Sequence, residues 1–116
     1  MGTSATITQR PSVSLTDDTT LIRRARGGER KAFELLVAQH TRYAGAVAMG
    51  VVGDYHMALD VIQEAFIKVY NGLDQLEDPE RFRPWLRNVV RTTGLDAMRR
   101  RKVAGRSGQA LPGQEE

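Results

Sequence analysis

The amino-acid sequence predicts an all-α protein, a small bundle of about four helices. Apolar residues recur at three- and four-residue spacing along most of the chain, and no stretch alternates apolar and polar residues with period two. The chain has 116 residues, the length of one small domain, and its 41% apolar and 27% charged residues are typical of a globular protein. These observations favour one modest core surrounded by helices.

The first two helices are predicted from their start and stop signals. Residues 1–15 have no periodicity and are interpreted as a flexible arm. Thr16 or Asp17 is the expected N-cap of a short first helix, which Gly27–Gly28 ends. A longer second helix then carries an apolar stripe at Phe33, Leu36, Val37, His40, Ala44 and Val47. His40 lies on this stripe, so it is interpreted as a packed histidine rather than a metal ligand.

The third helix has the clearest pattern in the chain. Gly53 and Asp54 end the second helix and cap the third, and Gly72 marks the end of the third. Its predicted buried face consists of Ala58, Val61, Ile62, Ala65, Phe66 and Val69. The following loop, residues 74–80, contains four acids and a proline and is interpreted as a solvated turn.

The fourth helix is predicted from Pro84, which suits a first helical turn, through Arg101. Leu86, Val89, Val90 and Thr93 form its predicted core face. Gly94 in the middle of this helix is interpreted as a place of close helix packing, since glycine costs about 1 kcal/mol there against alanine. The ordered domain is expected to span residues 16–103, and residues 104–116 are interpreted as a linker.

Composition narrows the possible functions. There is no cysteine, and the two histidines stand far apart without a second good ligand, so no metal or other cofactor is predicted. No set of converging catalytic residues is found, which argues against an enzyme. The N-terminus is not a signal peptide, and the most apolar run, at 43–53, has 11 residues where a membrane span needs about 20. A cytoplasmic protein is therefore expected.

Charge is distributed very unevenly along the chain. Residues 1–80 carry 8 basic and 11 acidic groups, whereas residues 81–106 carry 9 basic groups and 1 acidic group. The net charges of these segments are therefore −3 and +8. Such polarity indicates a polyanionic partner at one end of the molecule, although a basic helix kept soluble by its arginines would look the same.

The spacing within the fourth helix favours nucleic acid. Arg83, Arg87 and Arg91 stand four residues apart and share one side of the helix, a row that we call the basic ridge. Guanidinium groups bind phosphate through paired N–H donors, and side chains such as Asn88 and Thr92 beside the ridge can reach base edges. Four more cations follow at the end of the predicted helix: Arg99, Arg100, Arg101 and Lys102. Favourable interaction with the helix C-terminus is the simpler explanation for cations at this position.

The two aromatic residues before the ridge are the other part of this prediction. Phe82 and Trp85 flank its start, where an aromatic ring could stack on an unpaired base. For Trp85 we favour burial in the core over such a base contact.

Three motifs in order resemble region 2 of a bacterial sigma factor of the extracytoplasmic-function (ECF) group. "DDTTLIRRARGGERKAFELLV" is similar to the start of that family's region 2, and "ALDVIQEAFIKVY" resembles its region 2.2 signature. "FRPWLRNVVRTTGLDAMRRRK" resembles regions 2.3 to 2.4. Each motif alone is weak, but their order and separations make the match specific.

The resemblance implies a transcription initiation subunit that has no catalysis of its own. Asp60, Gln63 and Glu64 match the motif that docks on the clamp helices of the polymerase β′ subunit. The fourth helix and the loop before it would bind the nontemplate strand of the promoter −10 element and hold one of its bases out of the base stack. By position, the DNA-binding residues would be Arg83, Arg87, Asn88, Arg91 and Thr92, with Arg99 and Arg100 on the backbone.

The sequence departs from the family pattern at two positions: Thr92 stands where the family usually has Asn, and Leu59 where it usually has Glu. Family members also carry a second helical domain that reads the −35 element. The chain stops within the expected linker to it, so it is interpreted either as an excised domain, which we favour, or as a shortened natural relative. Anti-sigma factors are a further class of partner that the resemblance implies.

Two alternative functions stay open from the residues alone. One is a helical adaptor that binds only proteins, and the other is a helix bundle that binds nucleic acid without regard to sequence. The basic ridge speaks against the first, and the acidic region 2.2 face speaks against the second.

Overall fold

A computed structural model describes residues 17–110 of the chain, with side chains described as far as residue 105. Within that range the architecture is all-α, as predicted: α1 (Asp18–Arg26), α2 (Arg30–Val52), α3 (Tyr55–Gly72) and α4 (Phe82–Ala110). Two short 3₁₀ turns, Leu73–Gln75 and Pro79–Arg81, connect α3 to α4. The predicted arm at residues 1–15 lies outside the described residues.

The helix boundaries follow from local chemistry. Asp17 is the N-cap of α1, and its carboxylate accepts a 2.8 Å hydrogen bond from the Thr20 hydroxyl. Gly28 and Gly53 adopt left-handed backbone with φ of 96° and 67°, a conformation that glycine reaches without strain, and the chain turns there after α1 and α2. Asp54 caps α3 by accepting from the Met57 amide at 3.2 Å. These predicted boundaries, and the end of α3 at Gly72, are confirmed.

The four helices share one core. Its fully buried apolar residues come from every helix: Leu21, Ile22, Leu36, Ala44, Val61, Ala65, Val69, Phe82, Leu86 and Val90. Those of α2, α3 and α4 lie on the predicted stripes, with the exception of Phe82. Phe82 was predicted to flank the ridge, where its ring could stack on a base, but at 1% exposure it is packed in the core and cannot offer that surface. Thr93 is buried beside them and donates its hydroxyl proton to the Val89 carbonyl at 2.7 Å. Burial of these side chains, each worth about 1.5–3 kcal/mol for a large aliphatic residue, holds the bundle together.

His40 is a core residue, as predicted. It is 4% exposed, its ring lies edge-on to Phe82 at 5.0 Å, and its Nε2 is 3.0 Å from both carboxylate oxygens of Asp18. The imidazole therefore joins α1, α2 and the start of α4. A buried histidine that faces a carboxylate in this way has a structural partner for one nitrogen.

The middle of α4 crosses α2 at very short range. A Cβ atom built on Gly94 would lie 3.0 Å from Cγ1 of Val51 and 3.6 Å from Cγ1 of Val52. A side chain at this position would require Val51 to move by a few tenths of an ångström, so the prediction of close helix packing at Gly94 is confirmed. The crossing at Gly94 separates α4 into two halves.

Two expectations about α4 differ from the structure. The helix continues to Ala110, nine residues beyond the predicted end at Arg101. Extending a formed helix gains one hydrogen bond for each residue that is fixed. Between Arg101 and Pro112 the sequence has no proline that would stop the helix. Residues 104–110 of the predicted linker are therefore helical, and residues 111–116 lie outside the described residues. Trp85 is half-buried rather than enclosed in the core.

Candidate nucleic-acid and protein interfaces

The basic ridge is exposed along the first half of α4. Arg83, Arg87 and Arg91 all face solvent. The guanidinium carbon of Arg83 lies 3.9 Å from the ring centre of Tyr43 on α2, in cation–π contact. Among residues 17–105, no acidic side chain is within ion-pair distance of these three arginines. The ridge therefore presents uncompensated positive charge, which suits an anionic ligand.

The C-terminal cluster, which we define as Arg99, Arg100 and Arg101, is arranged differently. Arg99 pairs with Asp96 one turn earlier. Arg100 reaches Glu64 on α3 at 3.4 Å, and Arg101 reaches Asp54 at 3.6 Å. The interpretation that these cations complement the helix C-terminus is wrong, because α4 continues to Ala110 and the macrodipole acts only within the last turn.

Asp54, the N-cap of α3 and the partner of Arg101, has a lowered pKa. The Met57 amide donates to the Asp54 carboxylate, and this hydrogen bond is the main reason that the pKa of Asp54 lies below its ordinary value. Partial burial opposes the shift, and the charge of Arg101 adds to it. Asp54 therefore remains ionised and keeps Arg101 close to the α2–α3 turn.

A cleft opens between the α3–α4 connection and the first turns of α4. We call it the loop cleft; it has a volume of about 410 Å³ and is lined by Gln75, Leu76, Glu77, Asp78, Arg81, Pro84, Trp85 and Asn88. Glu77 and Asp78 supply carboxylates, Asn88 an amide, and Trp85 an aromatic surface. This mixture can accept and donate hydrogen bonds at the edge of a planar ligand while an indole contacts its face.

Two of the predicted DNA-binding residues stand beside the ridge. Asn88 borders the loop cleft and so connects that cleft with the ridge. Thr92 is exposed, and its hydroxyl donates to the carbonyls of Asn88 at 2.9 Å and Val89 at 3.2 Å. Since its proton is engaged within the helix, the Thr92 oxygen is placed to accept from a ligand rather than to donate.

The predicted polymerase-docking residues lie on α3. Asp60 and Gln63 are exposed, whereas Glu64 is half-buried. The Glu64 carboxylate lies 3.6 Å from Lys68 and 3.4 Å from Arg100. A residue predicted for protein docking and one predicted for DNA backbone contact are therefore joined by an ion pair in this structure.

An apolar groove runs beside Gln63 between α2 and α3. It has a volume of about 700 Å³, and Phe33, Ile62, Ile67 and Tyr70 contribute to its walls. Ile67 and Tyr70 are 62% and 61% exposed, unusual for large side chains on neighbouring turns of a helix. Exposed apolar surface of this kind is typical of protein-binding sites, and it adjoins the face that carries Gln63.

Sequence reasoning missed several residues of these surfaces. Tyr43 was not predicted to hold Arg83, and Gln75 and Arg81 were not predicted to line a cleft. Their spacing within the chain carries no signal of these contacts, because the partners belong to other elements. Over the described residues, no group of His, Asp and Glu side chains is placed to hold a metal ion, and no helix combines the length and apolarity needed to cross a membrane.

Comparison with known proteins identifies the class to which this fold and these surfaces belong. The family model for sigma-70 region 2 matches residues 36–103. The chain belongs to the sigma-70 region 2 family, and its predicted resemblance to ECF sigma factors is confirmed by its similarity to curated members of that group.

Curated relatives span several bacteria. The chain is 35% identical to the ECF RNA polymerase sigma-E factor of Escherichia coli K12 over 82 residues, which are 71% of this chain and 42% of that protein. It is 34% identical to the sigma-H factor of Pseudomonas aeruginosa over 76 residues, 66% of this chain and 39% of that protein. The chain is also 31% identical over 86 residues to a probable sigma factor, RfaY, of Xanthomonas campestris pv. campestris. That match covers 74% of this chain and 22% of RfaY. The chain thus spans less than half the length of each relative.

A solved structure has the same fold. It is an NMR structure of an engineered region 2 of sigmaE in complex with GTAAAA, with a TM-score of 0.69 and 32% identity. The match covers 82% of this chain and 95% of that one. The relative's length therefore corresponds closely to the region from α1 to α4.

Proposed function

We propose that this chain is a promoter-recognition domain of a transcription initiation factor, which binds the RNA polymerase core and the opened −10 element. The observation that carries the proposal is the loop cleft beside a basic ridge without acidic partners among residues 17–105, in a chain of the sigma-70 region 2 family. The solved relative was determined in complex with GTAAAA. A role in transcription would place the chain in the cytoplasm.

The chemistry of the loop cleft favours a base over a phosphate. Glu77 and Asp78 repel anions, but their carboxylates accept hydrogen bonds from exocyclic amino groups of bases. The Trp85 ring offers a stacking surface, and stacking contributes about 1–3 kcal/mol per base. The cost of unstacking one base, a few kcal/mol, is of similar size, so a cleft of this kind can hold a base outside the strand.

The ridge complements this cleft by binding the strand that carries the base. Arg87 and Arg91 are exposed and positioned for phosphates on either side of it, and Asn88 lies between them at the mouth of the cleft. Arg83, held against Tyr43, has a restricted range of positions and therefore loses less side-chain entropy on binding. Arg99 and Arg100 would join the backbone contacts more weakly, because Asp96 and Glu64 already neutralise part of their charge.

Recognition of DNA can be tested by selection. The chain, immobilised, would be incubated with single-stranded DNA carrying a randomised eight-nucleotide segment, and bound molecules would be sequenced after several rounds. Enrichment of one motif is expected. When each nucleotide of that motif is replaced in turn by an abasic site, the replacement at one position should weaken binding more than the replacements at all the others. A pool that stays unenriched, or that is enriched equally as duplex and as single strand, would favour the sequence-blind alternative.

Docking on polymerase is proposed for Asp60, Gln63 and Glu64 together with the neighbouring apolar groove. Isothermal titration of the chain against an isolated β′ clamp-helix fragment would measure the affinity. Gln63→Ala should weaken it about five- to tenfold, the size of a hydrogen bond at a desolvated interface. Gln39→Ala, the same change at an exposed position of α2 outside the groove, serves as control. Equal affinities for Gln63→Ala and Gln39→Ala would count against this surface.

An anti-sigma factor is a further proposed partner. The groove with Ile67 and Tyr70 exposes apolar surface that a partner helix could cover. Because Gln63 lines the same groove, such a partner would compete with the clamp helices. Competition in the same titration is the corresponding measurement.

A further inference from the structure

Arg26 makes the longest-range polar contacts of α1. Its Nε donates to the carbonyl oxygen of Leu73 at 3.1 Å, and its Nη2 donates to the carbonyl oxygen of Leu76. The two acceptors lie 47 and 50 residues further along the chain. Arg26 is half-buried, and both leucines are buried. These hydrogen bonds therefore lie partly inside the protein and are shielded from solvent, unlike contacts between exposed side chains.

The carbonyls that Arg26 binds need a donor that the local backbone does not fully supply. After α3 ends at Gly72, the chain leaves the helix, and carbonyls at such an end have no intrahelical partner. The Leu73 carbonyl accepts one bond from the Leu76 amide at 3.2 Å, whereas no backbone amide of the described turns donates to the Leu76 carbonyl. A buried carbonyl without a partner is costly. The planar guanidinium fork satisfies both oxygens at once, which a lysine ammonium cannot do in the same geometry.

The segment that Arg26 anchors is one wall of the loop cleft. Residues 75–78 line the cleft together with Trp85, and residues 76–78 belong to no helix. At its far end the segment is held by Asp78, whose carboxylate accepts from the Glu80 amide at 3.0 Å. At its near end it is held by Arg26. The width of the cleft between this wall and the indole therefore depends on a residue of α1 that does not line the cleft.

We propose that Arg26 is a positioning residue for base recognition: from α1 it fixes the loop wall of the cleft at a spacing that admits a base against Trp85. This inference rests on the proposed function of the cleft. Arg26 acts before binding, because a wall that is already ordered does not have to be ordered when the base enters. Its loss should therefore reduce the part of the affinity that depends on the base, and leave the phosphate contacts of the basic ridge unchanged.

The test uses Arg26→Lys, which keeps the charge and removes the fork, with Arg23→Lys as matched control. Arg23 is an exposed arginine of the same helix, and its side chain makes no hydrogen bond or ion pair with the described residues. Both variants and the unmodified chain would be titrated with the single-stranded octamer obtained by selection and with its abasic version. Quenching of Trp85, the single tryptophan of the chain, reports binding at the cleft itself.

Arg26→Lys is expected to weaken binding of the octamer about five- to tenfold. This loss corresponds to the free energy needed to order the backbone of about one loop residue when the base binds. Binding of the abasic octamer should change less than about twofold, and the slope of log affinity against log salt should stay the same because every phosphate keeps its cation. Amide hydrogen exchange at residues 75–78 should become faster in Arg26→Lys alone. Affinity for the β′ clamp-helix fragment should be unaffected, which shows that the fold is retained.

The outcomes separate this inference from the function on which it rests. Unchanged exchange at residues 75–78, or equal reductions in affinity for the octamer and its abasic version, would overturn the positioning role alone. If the unmodified chain binds both octamers equally, the cleft is not a base site, and the inference fails together with that part of the proposed function. The positioning role would be established if Arg26→Lys shows faster amide hydrogen exchange at residues 75–78 and a lower affinity for the complete octamer, with its affinity for the abasic octamer unchanged.

Discussion

The two halves of α4 are both rich in arginine, yet the structure gives their charges different surroundings. In the first half the basic ridge faces solvent without an acidic partner among residues 17–105. In the second half each arginine of the C-terminal cluster is paired with an acid of α4, of α3 or of the turn before α3. Charge counted along a sequence is therefore not the charge that a ligand meets.

This difference has a direct consequence for binding. A phosphate that approaches the ridge forms its ion pairs without breaking others. A phosphate that approaches Arg100 meets a guanidinium whose charge Glu64 already neutralises in part, so the favourable energy is smaller. We therefore infer that the ridge supplies most of the electrostatic affinity and that the C-terminal cluster mainly joins α4 to the rest of the bundle.

The largest expected effect compares the two halves directly. Replacing Arg87 and Arg91 together by alanine should weaken binding to the selected single-stranded DNA by about 100-fold, since each charge-assisted hydrogen bond is worth about 1.5 kcal/mol and about 1.4 kcal/mol is tenfold in affinity. The salt slope should become shallower by about 1.4, or about 0.7 for each phosphate of a single strand that is no longer neutralised. Fluorescence anisotropy at several salt concentrations measures both quantities.

The matched control is the double replacement of Arg99 and Arg100 by alanine, which removes the same formal charge. It should change the salt slope by less than half as much, because these arginines are already partly neutralised. Equal slopes for the two double variants would contradict the comparison.

The next effect concerns the crossing that separates the halves. Gly94→Ala should destabilise the protein by about 1 kcal/mol, because the gain in helix propensity of about 1 kcal/mol is outweighed by overpacking of about 1–3 kcal/mol against Val51. In a Val51→Ala background the same change should become stabilising. Urea unfolding of the four proteins in this cycle measures the coupling. An effect of the same sign and size in both backgrounds would show that Val51 does not restrict Gly94.

A smaller effect should follow from releasing an arginine of the C-terminal cluster. Glu64→Gln removes the partner of Arg100 and should raise affinity for the selected DNA about two- to threefold, the range of an exposed ion pair. Glu34→Gln on α2 removes the same charge away from α4 and should leave the affinity nearly unchanged. A decrease on Glu64→Gln would mean that the Glu64–Arg100 pair organises the DNA surface instead of masking it.

The last effect is distinguished by its pH dependence and concerns Asp54, which caps α3 and contacts Arg101. Its pKa is lowered in the folded state, so it stabilises the fold at pH values above the ordinary aspartate pKa of about 3.9, and this contribution is lost as the pH falls through the lowered pKa. Asp54→Ala should therefore lower the midpoint of thermal unfolding at pH 7, and the difference from the unmodified chain should shrink in acid. Asp54→Asn, which can still cap α3, should lie between the two. A difference that does not depend on pH would assign the whole effect to helix propensity.

Much of the fold was predictable because its signals are local. Caps such as Asp54, stops such as Gly28 and Gly53, and apolar stripes along α2, α3 and α4 act over three or four residues, so they can be recognised in the sequence. The basic ridge was found in the same way, because residues four apart share a helix face. The family was predicted from three motifs that occur in the expected order and at the expected separations, and this prediction is confirmed. The roles of the individual site residues stay predictions.

Other properties depended on how the helices cross. The pairing of Arg100 with Glu64, the contact of Arg83 with Tyr43 and the hydrogen bonds of Arg26 join residues between 36 and 50 positions apart. Spacing along a chain carries no information about such neighbours, since they are set by crossing angles and side-chain volumes. The sequence by itself therefore determined four helices, their caps and a basic α4, because hydrogen bonding and amphipathicity are local. Only the tertiary structure decided which arginines of the described residues face solvent without an acid and where a cleft opens, because both depend on packing between distant segments.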